Sequence, residues 1–282
     1  IIKLYGDLPR LQLQREGQMQ MPNFAANLTM LFTELPMLKR FQAAANCGFK
    51  AVEILFPYEH EASELADKLQ EAGLKIVLIN FPAGDWPSER GFSAIPGREN
   101  DFRENVETTL QYAQTIGCQK VHIMAGIVED RLRNPRAVDT YLSNLTYAAE
   151  AFGEKGITVV IEPLNSRIAP GYLISHQWEA RDIIKRVGHD NLGLQFDFFH
   201  AQIMEGDLAT RLQEFLPIIR HIQIAGVPER HEPDTGEVNY SYLFDLLDEL
   251  RYDEWVGCEY IPKTTTEEGL GWFHRINSRN VG

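Results

Sequence analysis

Short apolar, β-rich runs alternate with amphipathic stretches along nearly the whole chain. The runs that read as strands are NFAANL (23–28), AVEIL (51–55), KIVLIN (75–80), KVHIMAG (120–126), ITVVIEPL (157–164), LGLQFDF (192–198), HIQIAG (221–226) and WVGCEY (255–260). LPMLKRFQAAANCG and ASELADKLQEAG, among the stretches between them, read as surface helices that stop at their closing glycine. Eight mostly apolar strands in strict βα alternation predict parallel strands covered by helices. An open doubly wound sheet would more often carry a glycine-rich phosphate loop after its first strand, and none follows NFAANL. The expected fold is therefore α/β, a single closed (β/α)8 barrel over residues 21–282, with residues 1–20 an N-terminal extension. The longest gap between strands is the third, where FPAGDWPSERGFSAIPGREN (81–100), rich in Pro and Gly, reads as an active-site loop.

Composition changes this picture in two ways. The chain of 282 residues, 44% hydrophobic, suits one such barrel, and its formal charge of −13 argues against a nucleic-acid partner, because phosphate contacts need a basic face. A small anionic substrate answers to local charge and stays open. The three cysteines, Cys47, Cys118 and Cys258, are odd in number and form no CxxC, which fits free thiols in a reducing compartment. The first twenty residues lack a signal-peptide pattern and no stretch approaches a membrane span, so the expected location is cytoplasmic, without a membrane partner.

Barrels of this kind do their chemistry at the C-terminal ends of the strands. Glu162, Asp197, Gln223 and Glu259 fall at or near those ends on the last four strands. Taken singly, each reads as half of a structural ion pair. Taken together, three carboxylates in one mouth repel and raise one another's pKa unless a cation sits among them. Four oxygen donors then favour Mg²⁺ or Mn²⁺ over zinc. His200, three residues past Asp197, reads as a donor to a substrate oxygen or to the site's ligands, or as a loop histidine held by backbone. Arg230 reads as an anion-binding guanidinium or a solvated loop residue, and His231 carries a weaker signal. Glu53 is structural or substrate-contacting. His122 reads as a satisfied core histidine. Phe56, Phe81 and Trp86 either wall off water or pack on neighbouring loops. Alternation turns the Cys258 thiol away from the site, which sets a catalytic thiol aside.

FAANLTMLF, VEILFPYE, AIPGRE, VVIEPLN, QFDFFHAQ, HIQIAG, HEPDTGEVNY, GCEY and TTTEEGLGWF together resemble the hydroxypyruvate isomerase family, within the xylose-isomerase-like TIM barrels, over about residues 21 to 275. HIMAG, IAGVPERHEP and EEGLGWF resemble its 2-oxo-tetronate isomerase branch, and IEPLN the hydroxypyruvate isomerases proper. The resemblance implies a metal site at Glu162, Asp197, Gln223 and Glu259, with Glu162 and Glu259 as the proton donor and acceptor. The implied reaction converts hydroxypyruvate to tartronate semialdehyde, or isomerises a related short 2-oxo-hydroxy acid, through a metal-stabilised enediolate. Such a substrate is an anion in a site already rich in carboxylates, so a cation must receive it: Arg230 first, with Arg90 or Arg98 of the third loop as rivals. Ketose 3-epimerase, metal-dependent DNA-repair endonuclease and non-catalytic sugar-acid binding protein are the competing readings.

Overall fold

The structure, a computed structural model, describes residues 22–278 except 87 and 131–133; the predicted extension 1–20 lies outside the described residues. Eight strands, β1 (Asn23–Asn27), β2 (Ala51–Ile54), β3 (Lys75–Asn80), β4 (Lys120–His122), β5 (Thr158–Ile161), β6 (Leu192–Asp197), β7 (Ile219–Ile224) and β8 (Trp255–Cys258), form a closed barrel in chain order. Every neighbouring pair is parallel, and β1 closes on β8 through the register Asn23↔Trp255 to Ala26↔Cys258. The expected fold is the one observed.

Successive side chains on a strand point to opposite faces, and here the two faces differ in chemistry. Val121, Val159, Ile161, Leu194, Phe196, Ile222, Ile224, Val256 and Cys258 belong to one large apolar cluster shared with the helices. Phe41 of α1 (Met37–Asn46), Leu65 of α2 (Ala62–Ala72), Phe102 of α3 (Glu99–Ile116) and Tyr141 of α4 (Pro135–Gly153) meet it from outside. The alternate positions face the lumen and are largely polar: Asn27, Glu53, His122, Gln195, Asp197, His221 and Gln223 are all buried. The chain therefore folds on the shell between strands and helices, and its lumen is free to hold chemistry.

The predicted strands run longer than the ladders. β4 ends at His122 rather than 126, because the backbone beyond it bonds to loops instead: Ala94 N–H donates to the Ala125 carbonyl at 2.8 Å and Leu173 N–H to Gly126 at 3.0 Å. β5 and β8 likewise stop one residue short of Glu162 and Glu259. These two glutamates sit at the rim, where Glu259 N–H still donates to the Ile224 carbonyl of β7 at 3.2 Å.

Candidate active site

Asp197 ends β6 and begins α6 (Phe198–Met204), where its Oδ1 caps the helix by accepting from Phe199 N–H at 2.7 Å. That bond fixes the carboxylate and leaves Oδ2 buried with no hydrogen-bond partner among the described residues; Glu162 Oε1 is in the same condition. His200 Nε2 stands 3.5 Å from Asp197 Oδ2 and 3.9 Å from Glu162 Oε1. One donor atom from each of Glu162, Asp197 and His200 lies within 4.8 Å of the others.

The proton on His200 is placed by its other nitrogen. Asn165 N–H donates to His200 Nδ1 at 2.9 Å, with the Asn165 side-chain nitrogen also 2.9 Å away. A ring nitrogen that accepts a backbone N–H carries no proton, so in the neutral ring Nε2 carries it. Burial, reinforced by Arg230, holds the imidazole well below its ordinary pKa and so neutral. His200 thus aims an N–H into the lumen. In that tautomer Nε2 can donate to an oxygen in the lumen.

Arg230, on the segment after β7, bonds Glu259 Oε2 through Nη2, lies 3.8 Å from Asp197 Oδ2, and stacks 5.0 Å from the centre of the Phe199 ring. Burial works against its charge, but Glu259, Asp197 and Glu162 outweigh burial and raise its pKa. Expected to receive a substrate carboxylate, Arg230 instead has its charge matched inside the protein.

Gln223 is oriented from beneath. Its Nε2 donates to Glu53 Oε2 at 3.0 Å, and its Oε1 accepts from Gln195 Nε2 at 2.7 Å. Glu53 also accepts from Asn27 Nδ2 at 3.1 Å and from His221 Nε2. An ionised carboxylate only accepts, so the amide nitrogen of Gln223 must face it and the amide oxygen must face away. A β-carbon at Gly257 would collide with the Glu53 carboxylate, so the glycine on β8 makes room for the acid from β2. Glu53 is structural, of the two roles open to it. His122 departs from expectation. It is not satisfied: neither ring nitrogen has a hydrogen-bond partner among the described residues, Nδ1 is 3.6 Å from Glu162 Oε2, and burial pushes its pKa down to about 3.

The rim carboxylates are held protonation-prone. Burial raises Glu162 well above its ordinary pKa, with the charges of Glu259 and Asp197 adding to the effect. Burial lifts Glu259 to about 8 and Asp197 to about 6, each against the pull of Arg230. One guanidinium does not offset three carboxylates. Partnerless buried oxygens on Glu162 and Asp197, together with this excess of negative charge, fit a divalent cation. Glu259 and the second lone pair of Gln223 Oε1 are the further oxygen donors at the same rim.

The aromatic residues divide. Phe81 is buried against Phe92 and Phe102, with ring centres 5.9 and 4.8 Å away, and is core. Phe56 and Trp86 pack on each other at 5.4 Å, with Trp86 45% exposed at the rim. His231 Nδ1 lies 2.8 Å from the Ile261 carbonyl, tied to the backbone after β8. Sequence reasoning missed Asn165, Gln195 and His221. The last two stand two positions before Asp197 and Gln223, on the same face of the same strands, and that spacing was the available signal.

Residues 41–276 match the xylose isomerase-like TIM barrel family, and the chain belongs to it. Among its relatives, the 2-oxo-tetronate isomerase of Cupriavidus necator is 52% identical over 253 residues, 89% of this chain and 97% of that protein. The hydroxypyruvate isomerase of Escherichia coli is 43% identical over 253 residues, 89% of this chain and 98% of that protein. A crystal structure of an AP endonuclease, family 2, from Brucella melitensis is 49% identical with a TM-score of 0.88, covering 90% of this chain and 99% of that one. Within the family the chain is an isomerase of the group that holds the hydroxypyruvate and 2-oxo-tetronate isomerases. No described helix is long and apolar enough to cross a membrane.

Proposed function

We propose that the protein interconverts hydroxypyruvate and tartronate semialdehyde, with Glu162 and Glu259 as the proton-transferring pair. The observation that carries this reading is a pair of buried glutamates at one rim, Glu162 with an oxygen that has no hydrogen-bond partner among the described residues and Glu259 raised by burial to about 8. A proton leaves the carbon that bears the hydroxyl, and a proton is returned to the adjacent former carbonyl carbon. The hydroxyl proton passes to the neighbouring oxygen, so the product is an isomer with nothing gained or lost. A glutamate whose proton affinity is raised by burial is suited both to take up a proton and to return one. His200, neutral with its proton on Nε2, donates to a substrate oxygen. Arg230 holds the Glu259 carboxylate in place.

Glu162, Asp197, Gln223 and Glu259 would hold the divalent ion, Mg²⁺ or Mn²⁺, which supplies positive charge where negative charge develops on the substrate oxygens. The three free thiols support a reducing, cytoplasmic setting. The 52% identity to a 2-oxo-tetronate isomerase favours a second reading, the same chemistry on a four-carbon 2-oxo acid. A formal charge of −13 opposes a DNA substrate. The test is an activity panel on protein reconstituted with Mg²⁺ or Mn²⁺, comparing hydroxypyruvate, four-carbon 2-oxo-tetronates and neutral ketoses. Turnover of neutral ketoses alone would overturn the proposal.

A further inference from the structure

The proposed substrate carries a carboxylate into a rim that already holds three, and Arg230 is matched to Glu259 and Asp197. Other cations stand on the segments that follow the strands. Arg98 bonds Glu89 at 2.8 Å and also Asp101. Arg40 donates to the carbonyls of Leu28 and Leu35 at 2.7 and 2.8 Å. Arg167 and Lys263 are exposed. Arg90 differs from all of these: it is half-buried and has neither a carboxylate nor a carbonyl partner among the described residues.

The segment around Arg90 is built, not loose. Arg90 has a left-handed backbone, φ 49°, and Gly91 follows at φ 105°. Gly91 presses on the Met124 carbonyl so closely that a β-carbon would collide with it. Gly91 N–H donates to the Ala83 carbonyl at 2.8 Å, and Ile127 N–H donates to Glu89 at 2.8 Å, which clamps the turn onto the segment leaving β4. Glu89 is held in turn by Arg98 and by the Asp85 N–H at 2.7 Å. The guanidinium carbon of Arg90 lies 4.7 Å from the centre of the Trp86 ring, which itself leans on Phe56. The turn that carries Arg90 is thus fixed against the segment leaving the C-terminal end of β4, on the same face of the barrel as Glu162 and Glu259.

We infer that Arg90, seated on the Trp86–Phe56 platform, receives the substrate's carboxylate and gives the site its preference for 2-oxo acids over neutral hydroxyketones. A planar guanidinium with its donors unmatched is the side chain best suited to grip a carboxylate through two hydrogen bonds. This rests on the isomerase reading above and adds to it the group that recognises the acid end.

The experiment compares the wild type with Arg90→Gln and Arg90→Lys, all loaded with Mn²⁺ and checked for equal melting temperature. The substrates are hydroxypyruvate and dihydroxyacetone, which replaces the carboxylate by a neutral hydroxymethyl group. Arg90→Gln should raise KM for hydroxypyruvate about 10- to 100-fold, as for a lost hydrogen-bonded charge, with a smaller change in kcat. It should narrow the preference over dihydroxyacetone by a similar factor, and Arg90→Lys should restore part of it. Calorimetric titration with hydroxypyruvate reads binding independently of turnover. If the wild type binds hydroxypyruvate, Arg90→Gln weakens that binding, and no 2-oxo acid is turned over, the isomerase reading fails and the assignment of Arg90 stands. Unchanged KM, unchanged affinity or unchanged preference in Arg90→Gln would overturn the inference.

Discussion

Glu53→Gln is the most informative single change, because it alters one atom's chemistry at constant shape. Both Glu53 oxygens are occupied: Oε2 accepts from Asn27 at 3.1 Å and from Gln223 at 3.0 Å, and Oε1 accepts from His221. A glutamine brings an NH₂ that must face at least one of these donors. If it faces His221, the imidazole can respond only by moving its proton to Nδ1, which is buried and has no partner among the described residues. If it faces Asn27 and Gln223, two amide nitrogens lose their acceptor. Either arrangement leaves a buried donor unsatisfied, at about 1–3 kcal/mol, and weakens the remaining charge-assisted bonds. A loss of about 2–4 kcal/mol follows, or a fall of about 5–15 °C in Tm.

The same substitution should reach the ion. With its nitrogen no longer drawn to a carboxylate, Gln223 can turn its amide and withdraw its oxygen from the rim. Groups that orient a ligand typically contribute about 10- to 100-fold in metal affinity. The assays are calorimetric melting of metal-free protein and Mn²⁺ titration followed by electron paramagnetic resonance. Gly257→Ala crowds the same carboxylate from β8 and should reproduce both effects. A Glu53→Gln protein with wild-type Tm and wild-type Mn²⁺ affinity would refute the reasoning.

Glu162→Gln and Glu259→Gln should each lower kcat by at least about 10²-fold with the fold intact, as for a lost positioned acid or base; a third of wild-type turnover in either would sink its assignment. Arg230→Met should lower kcat at least as much as it raises KM, because it strips Glu259 of its partner; a pure KM effect would return Arg230 to the role of substrate anchor. In metal-free protein, Glu259, Asp197 and Glu162 all have folded pKa values above their unfolded ones. Their contribution is therefore fully present below the ordinary carboxylate range and is lost as pH rises through about 6 for Asp197 and about 8 for Glu259. Metal-free Tm should fall between pH 5 and pH 8.5 in scanning calorimetry, and saturating Mn²⁺ should stabilise more at the higher pH; equal stabilisation at both would contradict a cation among these carboxylates.

The wall of the barrel was legible because the helix-facing positions of the strands are mostly Val, Ile, Leu and Phe, and that periodicity does not depend on what the lumen holds. The rim was legible for a related reason: Glu162, Asp197, Gln223 and Glu259 recur within a residue of the C-terminal ends of four consecutive strands, which are neighbours in the closed wall. Strand ends were misplaced because an extended backbone looks the same whether its partner is a ladder or a loop. The state of Arg230 was not legible, since either Glu259 or an arriving anion satisfies a guanidinium equally in sequence terms. His122 was misread because burial on an apolar strand says nothing about whether its two nitrogens find partners.

Glu53 carries the most general lesson. Counted around the wall, β2 stands far from β6 and β7, yet its carboxylate meets Gln223 and His221 directly, because in a closed barrel the short path runs across the lumen. Ala25 and Ala51, two positions before Asn27 and Glu53 on the same faces, are small and buried below them. Above this apolar base stands a layer in which both carboxylate oxygens of Glu53 are bonded. Above that is a rim in which Glu162 and Asp197 each keep a buried oxygen without a partner. Two acids equally hidden from water thus differ in what they lack. A buried carboxylate with all its bonds made orients its neighbours and gains nothing from a ligand. One with an oxygen left bare is costly to the folded chain, and the cost is recovered only when something positive or proton-bearing enters the lumen. That difference separates the acid that builds the site from the acids that work in it.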